Sequence, residues 1–269
     1  PDNDTITMTL ATGRGQLTLV ALFGDKQDKY PQLWELIEAL QSGITNVLGE
    51  ASFEPYSESR VHGTIIGLEG DRISDAVLNR NACRAFGQDR EADLESAVDF
   101  LLSPNDLLPV SIQIGGFKPD VRYPFTSQGL HPYLRSFSIH GTKAVAMGWP
   151  CEKGRFPSSL DKLRRAFNRF NIFHKYHGSE DAYDNDFFFV LGSVTDDVTA
   201  NAIADCQTQM RERLSQSNVP PITIDKDQLR IIAYPEEDTT LQHATPFTLE
   251  EAKKRISELK RFYVGKDRC

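Results

Sequence analysis

Apolar residues along the chain follow two spacings, which together predict alternating strands and helices. Apolar runs predict strands over 16–23, 61–69, 108–117, 143–149 and 186–194, and a strand or a hairpin over 222–234. Helical spacing predicts helices over 91–102, 158–170, 196–215 and 248–263, and an earlier helix that begins at Tyr30-Pro31. The elements therefore run strand, helix, strand, helix, strand, twice over, and a last helix follows.

Two parts of the chain repeat this order. The segment 16–70 is echoed by 143–194, since each runs strand, helix, strand and reaches a glycine, Gly67 or Gly192, in its second strand. No Gly/Ser-rich linker or block of charge separates them. The order predicts the α+β fold class, with two pseudo-symmetric β-α-β lobes around a central cleft. We expect one bilobal domain over 16–269, which includes the C-terminal helix, and an N-terminal extension over 1–15.

The composition is that of an ordinary globular protein, with 39% hydrophobic and 25% charged residues among 269. The formal net charge is −8. This acidic balance disfavours binding to long nucleic acid, which needs a positive surface. It does not exclude a small phosphate ligand held in a local basic cleft.

The cysteines and the lack of long apolar segments set the expected compartment. The four cysteines, Cys83, Cys151, Cys206 and Cys269, lie far apart and form no cluster with metal-ligand spacing. The sequence therefore predicts free thiols, no metal and no cofactor. No apolar stretch approaches the roughly 18–20 residues of a membrane span, and no signal pattern opens the chain. We expect a cytoplasmic protein with no membrane partner, and its oligomeric state stays open.

The candidate chemistry begins at the tripeptide His62-Gly63-Thr64, which opens the apolar run 61–69. Side chains of a strand alternate between its faces, so His62 and Thr64 share one face. An imidazole beside a hydroxyl can move a proton and hold a phosphoryl oxygen. The alternative interpretation is an ordinary histidine at the end of a strand.

With its surroundings, this tripeptide resembles the two-histidine phosphoesterase superfamily, which has the LigT-like fold. The similar segments are VHGTIIGLEG over 61–70, LPVSIQIGGF over 108–117, KAVAMGWP over 143–150 and ITIDKDQLRIIAY over 222–234. The resemblance covers roughly residues 16–250. It implies two β-α-β lobes that form a cleft, with one His-x-Thr/Ser motif from each lobe on a central strand.

The chain departs from this family at the second motif. The strand that should carry it, over 184–190, contains no histidine. Asp186 and Phe188, or Asn185 and Phe187, fall at the expected positions of the histidine and the threonine. A phenylalanine cannot hydrogen-bond a phosphate and an aspartate repels one, so this alignment damages the two-histidine chemistry.

Two further tripeptides offer substitutes. His140-Gly141-Thr142 repeats the first tripeptide 78 residues after His62, but no helix separates it from the preceding strand. His243-Ala244-Thr245 falls in a late loop. We take His140 and Thr142 as the candidate second pair, with Arg60 and Lys143 as nearby cations.

The resemblance implies hydrolysis of a phosphodiester without a metal. One imidazole takes a proton from the nucleophile, and the second donates one to the leaving oxygen. The predicted activity is a metal-independent phosphodiesterase (a hydrolase) acting on a cyclic nucleotide or an RNA 2′,3′-cyclic phosphate end, with His62, Thr64, His140 and Thr142 as its site. The alternatives are a non-catalytic member of the fold that binds a nucleotide or another phosphate ligand, and an unrelated α/β protein.

Overall fold

A computed structural model describes residues 10, 12–24, 29–179, 181–238 and 240–266. Its strands are β1 (Gly15–Ala21), β2 (Phe53–Pro55), β3 (Gly63–Gly67), β4 (Gly70–Ile73), β5 (Ala76–Asn79), β6 (Val110–Ile114), β7 (Phe137–His140), β8 (Lys143–Pro150), β9 (Phe187–Val194), β10 (Ile222–Ile224), β11 (Leu229–Pro235) and β12 (Thr245–Phe247). Its α-helices are α1 (Pro31–Leu48), α2 (Arg80–Phe86), α3 (Leu94–Leu102), α4 (Pro132–Arg135), α5 (Ser159–Ala166), α6 (Ala200–Ser215), α7 (Leu249–Lys254) and α8 (Ile256–Phe262). Short 3-10 helices cover Phe167–Phe170 and Lys226–Gln228.

The strands of the main sheet lie in the order β10-β6-β8-β9-β3-β1-β11-β12. Neighbouring strands along this path are antiparallel. Two short strands extend it, since β2 pairs with β9 and β7 pairs with β8. The hairpin β4-β5 lies apart as a second sheet. Antiparallel strands with helices packed beside them confirm the predicted α+β class.

The two lobes are related by an approximate two-fold rotation. The first lobe contains β1-α1-β3, and the second contains β8-α5-β9. β3 and β9 meet at the centre of the sheet, where Gly63 lies opposite Phe189. Each lobe's helix packs on a strand of the other lobe. The helix α1 of the first lobe packs against α6 and β9, and α5 of the second lobe packs against β3. This exchange joins the lobes into one body and confirms the predicted bilobal arrangement.

The core is built around the central strands of the sheet. β1 is buried along its whole length. The helix α1 is amphipathic, and its buried side includes Leu33, Ile37, Leu40 and Ile44. Burying such side chains contributes about 1.5–3 kcal/mol each before the entropy cost of ordering them.

The structure departs from the predicted elements in the last third of the chain. The segment 222–234 forms neither the expected single strand nor a hairpin, because it is divided into β10 and β11, which lie at opposite sides of the sheet. Asp225 causes the break, because its side chain caps the 3-10 turn in a reciprocal bond with Gln228. The expected helix over 248–263 is likewise two helices, α7 and α8, which meet at Arg255.

Three of the predicted free thiols, Cys83, Cys151 and Cys206, are free in the structure, and Cys269 lies outside the described residues. β1 begins at Gly15, so the division into an extension over 1–15 and a domain over 16–269 stays a prediction. None of the described helices is both long and apolar enough to cross a membrane.

Candidate functional site

A cavity of about 430 Å³ lies over the centre of the sheet, where the two lobes meet. His62 and Thr64 line it, and both side chains are half-buried. Gly63 and Ile65, the alternate residues, are buried on the opposite side of the strand. Because β3 is central, its period-two alternation presents the imidazole and the hydroxyl to one cavity, as the sequence predicts.

The glycine between them is required by packing. A Cβ atom at Gly63 would lie 1.9 Å from the ring of Phe187 on β9. The ring therefore closes over the backbone of β3, where no side chain separates the two strands. The His-Gly-Thr sequence thus combines two polar groups that face the cavity with one position that must lack a side chain.

The environment of His62 fixes its protonation. Its Nδ1 lies 2.6 Å from the backbone carbonyl of Arg60. A carbonyl oxygen only accepts, so Nδ1 carries the proton and Nε2 is an acceptor. Burial lowers the pKa of His62 to about 4, with a further decrease from the charge of Lys29, although the bond to Arg60 raises it. His62 is therefore a neutral base at pH 7, and among the described residues Nε2 has no partner.

Two lysines bring unpaired cations to a cavity whose lining also contains Glu69 and the ion pair of Arg80 with Glu236. Lys143 donates to the hydroxyl of Tyr56 at 2.5 Å and to Ser193 Oγ at 3.1 Å, and both partners are neutral. The ammonium of Lys175 lies over the ring of Tyr176, 4.7 Å from its centroid. No carboxylate of the described chain pairs with either lysine. Their charges are therefore available to an anion in the cavity.

A wider cavity of about 1030 Å³ adjoins the first at Arg80 and Glu236. Arg80 in its lining pairs with Asp71 and with Glu236 at 2.5 Å each, and Lys266 pairs with Asp71, whereas Arg84 has no ion pair among the described residues. In the cavity of His62, the cations without an ion pair among the described residues are Lys143 and Lys175.

The second lobe presents apolar groups where the first presents polar ones. A two-fold rotation about the pair Gly63 and Phe189 exchanges His62 with Phe188 and Thr64 with Val190. Both Phe188 and Val190 line the same cavity. The two-fold counterparts of His62 and Thr64 therefore carry no hydrogen-bonding side chain.

This register corrects the sequence alignment, which placed Asp186 and Phe188, or Asn185 and Phe187, at those positions. β9 enters the sheet at Phe187, so the residues before it lie outside the paired region. Asp186 is buried there and accepts hydrogen bonds from Trp149 Nε1 and Ser127 Oγ at 2.7 Å each. The two-fold counterpart of His62 is therefore Phe188 and not Asp186.

The predicted second pair lies farther along the cleft. His140 is exposed and lines a neighbouring cavity of about 350 Å³. That cavity shares four residues with the first, namely Lys143, Lys175, Phe188 and Val190. Thr142 lines neither cavity, and its carbonyl accepts a hydrogen bond from Val194. The structure thus brings His140, but not Thr142, to the edge of the space that His62 occupies.

The other residues raised by the sequence take different places. Arg60 stacks on the ring of Tyr56, with its guanidinium carbon 4.4 Å from the centroid. His243 is 72% exposed beside Asp238 and lines neither cavity. Within the described residues, no group of three or more histidines, cysteines, aspartates or glutamates is placed to hold a metal ion.

The sequence analysis missed His174, which lines the cavity of His62 from the opposite lobe. Its Nε2 lies 2.6 Å from Asp184 Oδ2, and Arg164 donates to the same oxygen at 3.0 Å. Arg164 is fully buried, and it also donates to the carbonyls of Thr64 and Ile65. His174 is in an irregular segment without apolar periodicity, so no pattern in the sequence singles it out.

Comparison with known proteins gives distant likenesses of fold. No protein-family model matches the chain, and no curated protein matches it. The crystal structure of a conserved protein of unknown function from Agrobacterium tumefaciens is 15% identical, covers 92% of each chain and gives a TM-score of 0.48. The structure of E. coli LigT complexed with NADP+ is 12% identical, covers 88% of this chain and 96% of LigT, and gives 0.35. LigT carries the fold that the sequence resemblance names. Both TM-scores are below 0.5, so the fold assignment rests on the sheet order and the crossed helices.

Proposed function

We propose that the protein hydrolyses a small phosphodiester, of the cyclic nucleotide or RNA-end type, in the cleft beside His62. One observation carries this proposal: a neutral base and an unneutralised cation, His62 and Lys143, line the same cavity. The base can take a proton from an attacking water, and the cation can stabilise the charge that develops on the phosphoryl oxygens.

In the proposed step, the water oxygen bonds to phosphorus while His62 Nε2 takes its proton. The bond between phosphorus and the leaving oxygen breaks, and the leaving oxygen gains a proton. His140 is the predicted donor, since it lines the adjoining cavity that also contains Lys143. The hydroxyl of Thr64 donates a hydrogen bond to a phosphoryl oxygen.

A second candidate function is binding of a phosphate ligand without turnover. Phe188 and Val190 favour it, because they occupy the two-fold counterparts of His62 and Thr64 and have no hydrogen-bonding group. Loss of one proton-transfer group typically costs about 10²–10⁴ in rate. The same lysines would hold the ligand in either case.

The test is hydrolysis and binding of 2′,3′-cyclic nucleotides and short oligonucleotides in EDTA, with wild type, His62→Ala and His243→Ala. Loss of turnover in His62→Ala alone supports the hydrolase, since His243 lies outside both cavities. Saturable binding without turnover supports the second candidate. Equal turnover in all three proteins, or no binding by the wild type, contradicts the proposal.

A further inference from the structure

Glu69 is a carboxylate in the cavity of His62 for which the described residues provide no cation. It is half-buried and lines the cavity from the first lobe. Its Oε2 accepts one long hydrogen bond, from Asn81 Nδ2 at 3.3 Å, and its Oε1 accepts none from the described residues. Arg80 in the same lining forms its ion pairs with other carboxylates. Most of the acceptor capacity of Glu69 is therefore left for a group that enters the cavity.

The carboxylate of Glu69 lies over the backbone of β3. A Cβ atom at Gly67 would collide with both of its oxygens. Gly67 lines the cavity as well, after His62 and Thr64 along the strand. The partners of Thr64 and Gly67 on β1 are two positions apart, which places the two residues about 7 Å from each other along the sheet. One row on β3 thus presents an imidazole, a hydroxyl and a carboxylate to the same space.

The cations reach the cavity from the other lobe. Lys143 belongs to β8, and β9 separates β8 from β3. Lys175 is in the loop that follows Phe173, whose carbonyl accepts from the same Asn81 Nδ2 at 3.0 Å. A ligand that contacts both the lysines and Glu69 therefore carries an anion in one part and hydrogen-bond donors in another.

An aromatic side chain lies near the carboxylate. Tyr234 lines the cavity from β11 and is half-buried. Burial, and then the charge of Glu69, raises the pKa of Tyr234, so its phenol is neutral at pH 7. Unstacked bases are commonly bound by a neutral aromatic ring together with groups that read their Watson–Crick edge.

The chemistry of a carboxylate selects among the bases. Guanine carries two adjacent N–H donors on its Watson–Crick edge, N1–H and the N2 amino group, and the two oxygens of a carboxylate can accept from both. Adenine and cytosine place an acceptor nitrogen beside their amino group, and uracil places a carbonyl on each side of N3–H. A carboxylate repels these acceptors, so guanine is the base that it fits.

We propose that Glu69 determines base specificity in the cleft: its carboxylate accepts hydrogen bonds from N1–H and the N2 amino group of guanine in a nucleotide whose phosphate lies at the lysines. The inference rests on the proposed function, since it takes the phosphate to lie at Lys143 and Lys175. It adds the base that the site prefers, which phosphodiester chemistry at His62 does not specify.

Glu236 provides a matched control. It is a second carboxylate in the same lining, but it accepts from Arg80 at 2.5 Å and is more exposed than Glu69. Replacing either glutamate by glutamine removes one negative charge from the cavity and so favours phosphate in both cases. A change in the preference among bases separates a contact with the base from this general effect of charge.

The experiment measures the Kd values of the 3′-monophosphates of guanosine, inosine and adenosine by calorimetry, for wild type, Glu69→Gln and Glu236→Gln. Inosine keeps the N1–H of guanosine and lacks its N2 amino group. Thermal unfolding of each variant establishes that it is folded.

We expect the wild type and Glu236→Gln to bind the guanosine nucleotide about 10-fold more tightly than the adenosine nucleotide, with the inosine nucleotide between them. Glu69→Gln should bind all three within about 3-fold of one another, because its amide nitrogen turns a donor towards the donors of guanine.

Equal binding of the three nucleotides by the wild type overturns the inference but leaves the proposed function intact, because the lysines still bind phosphate. Uniformly tighter binding by Glu69→Gln with an unchanged preference also overturns it, since the carboxylate then acts on the phosphate and not on the base. If Glu69→Gln does not fold, the ratio of guanosine to inosine binding in the wild type decides, because those two ligands differ at the N2 amino group. If the wild type binds none of the three, both proposals fail.

Discussion

Arg164 and Asp184 form an ion pair at 3.0 Å in the interior, and this pair connects the loop of His174 to the strand of Thr64. The guanidinium is fully buried, and its other donors are used by backbone carbonyls of both lobes. Burial opposes ionisation of Asp184, but the bond from His174 and the charge of Arg164 outweigh it, so the pKa of Asp184 lies below its usual value. The two walls of the cleft are therefore held together by one charged group.

Replacing this cation should destabilise the whole fold. Arg164→Met leaves Asp184 without its buried cation and several carbonyls without donors, so we expect a loss of about 3–5 kcal/mol in the free energy of unfolding. Chemical denaturation measures it. Arg165→Met is the control, because its side chain is 32% exposed and pairs with Asp161. It should cost about 1 kcal/mol or less, and equal losses in the two variants would contradict this role for Arg164.

A side chain at Gly63 should separate the central strands. Gly63→Ala places a methyl group within 1.9 Å of the ring of Phe187, which must move away from the core. We expect a loss of about 1–3 kcal/mol in the free energy of unfolding, together with weaker ligand binding, because His62 and Thr64 flank the site of strain. Thermal unfolding and calorimetry check the two effects.

Gly178→Ala is the control for Gly63. A Cβ atom at Gly178 would meet no atom within 4 Å. The variant should unfold at the wild-type temperature. Equal stability of Gly63→Ala and wild type would show that β3 and β9 do not need this close approach.

The pH dependence of turnover should report the burial of His62. Its neutral form is the base, and its pKa is lowered to about 4, so the base stays active as the pH falls from 7 to 5. Protonation of this base should therefore cause no fall in turnover over this interval. A histidine with an ordinary pKa near 6.5 would lose about 20-fold there. The pH–rate profile of the wild type with a 2′,3′-cyclic nucleotide distinguishes these cases, and a midpoint near pH 6.5 would exclude His62 as a buried base.

Part of the site was accessible from the sequence because it depends on local geometry. The alternation of a strand places His62 and Thr64 on one face wherever the strand lies, and the order of elements was enough to predict two lobes. The position of His62 within the cleft depends on the pairing of β3 with β9, which also gives the reason for Gly63.

The rest of the site depends on contacts between distant segments. His174 reaches the cavity through Asp184 and Arg164, and none of the three belongs to a periodic pattern that marks a cleft. For His140, the sequence pattern is misleading. Its tripeptide repeats that of His62, but it occupies the exposed end of β7, before a turn, and not the centre of the cleft. The side chains that β9 places in the cleft also depend on its register with β3. A shift of one or two residues would place other side chains there, and periodicity alone does not fix the register.

Restoring polar groups on β9 should raise turnover. Phe188→His with Val190→Thr places a second imidazole and hydroxyl at the two-fold counterparts of His62 and Thr64, on side chains that already line the cavity. A second proton-transfer group at the phosphate contributes about 10²–10⁴ in rate. We expect an increase in kcat of at least 10-fold over wild type with 2′,3′-cyclic nucleotides, at similar stability, since both positions are half-buried.

The matched control is Phe188→Leu with Val190→Ala, which opens the same space without polar groups and should not increase kcat. An equal gain in both double variants would assign the effect to access, whereas no gain in a folded Phe188→His/Val190→Thr protein would mean that β9 does not face the reacting phosphate.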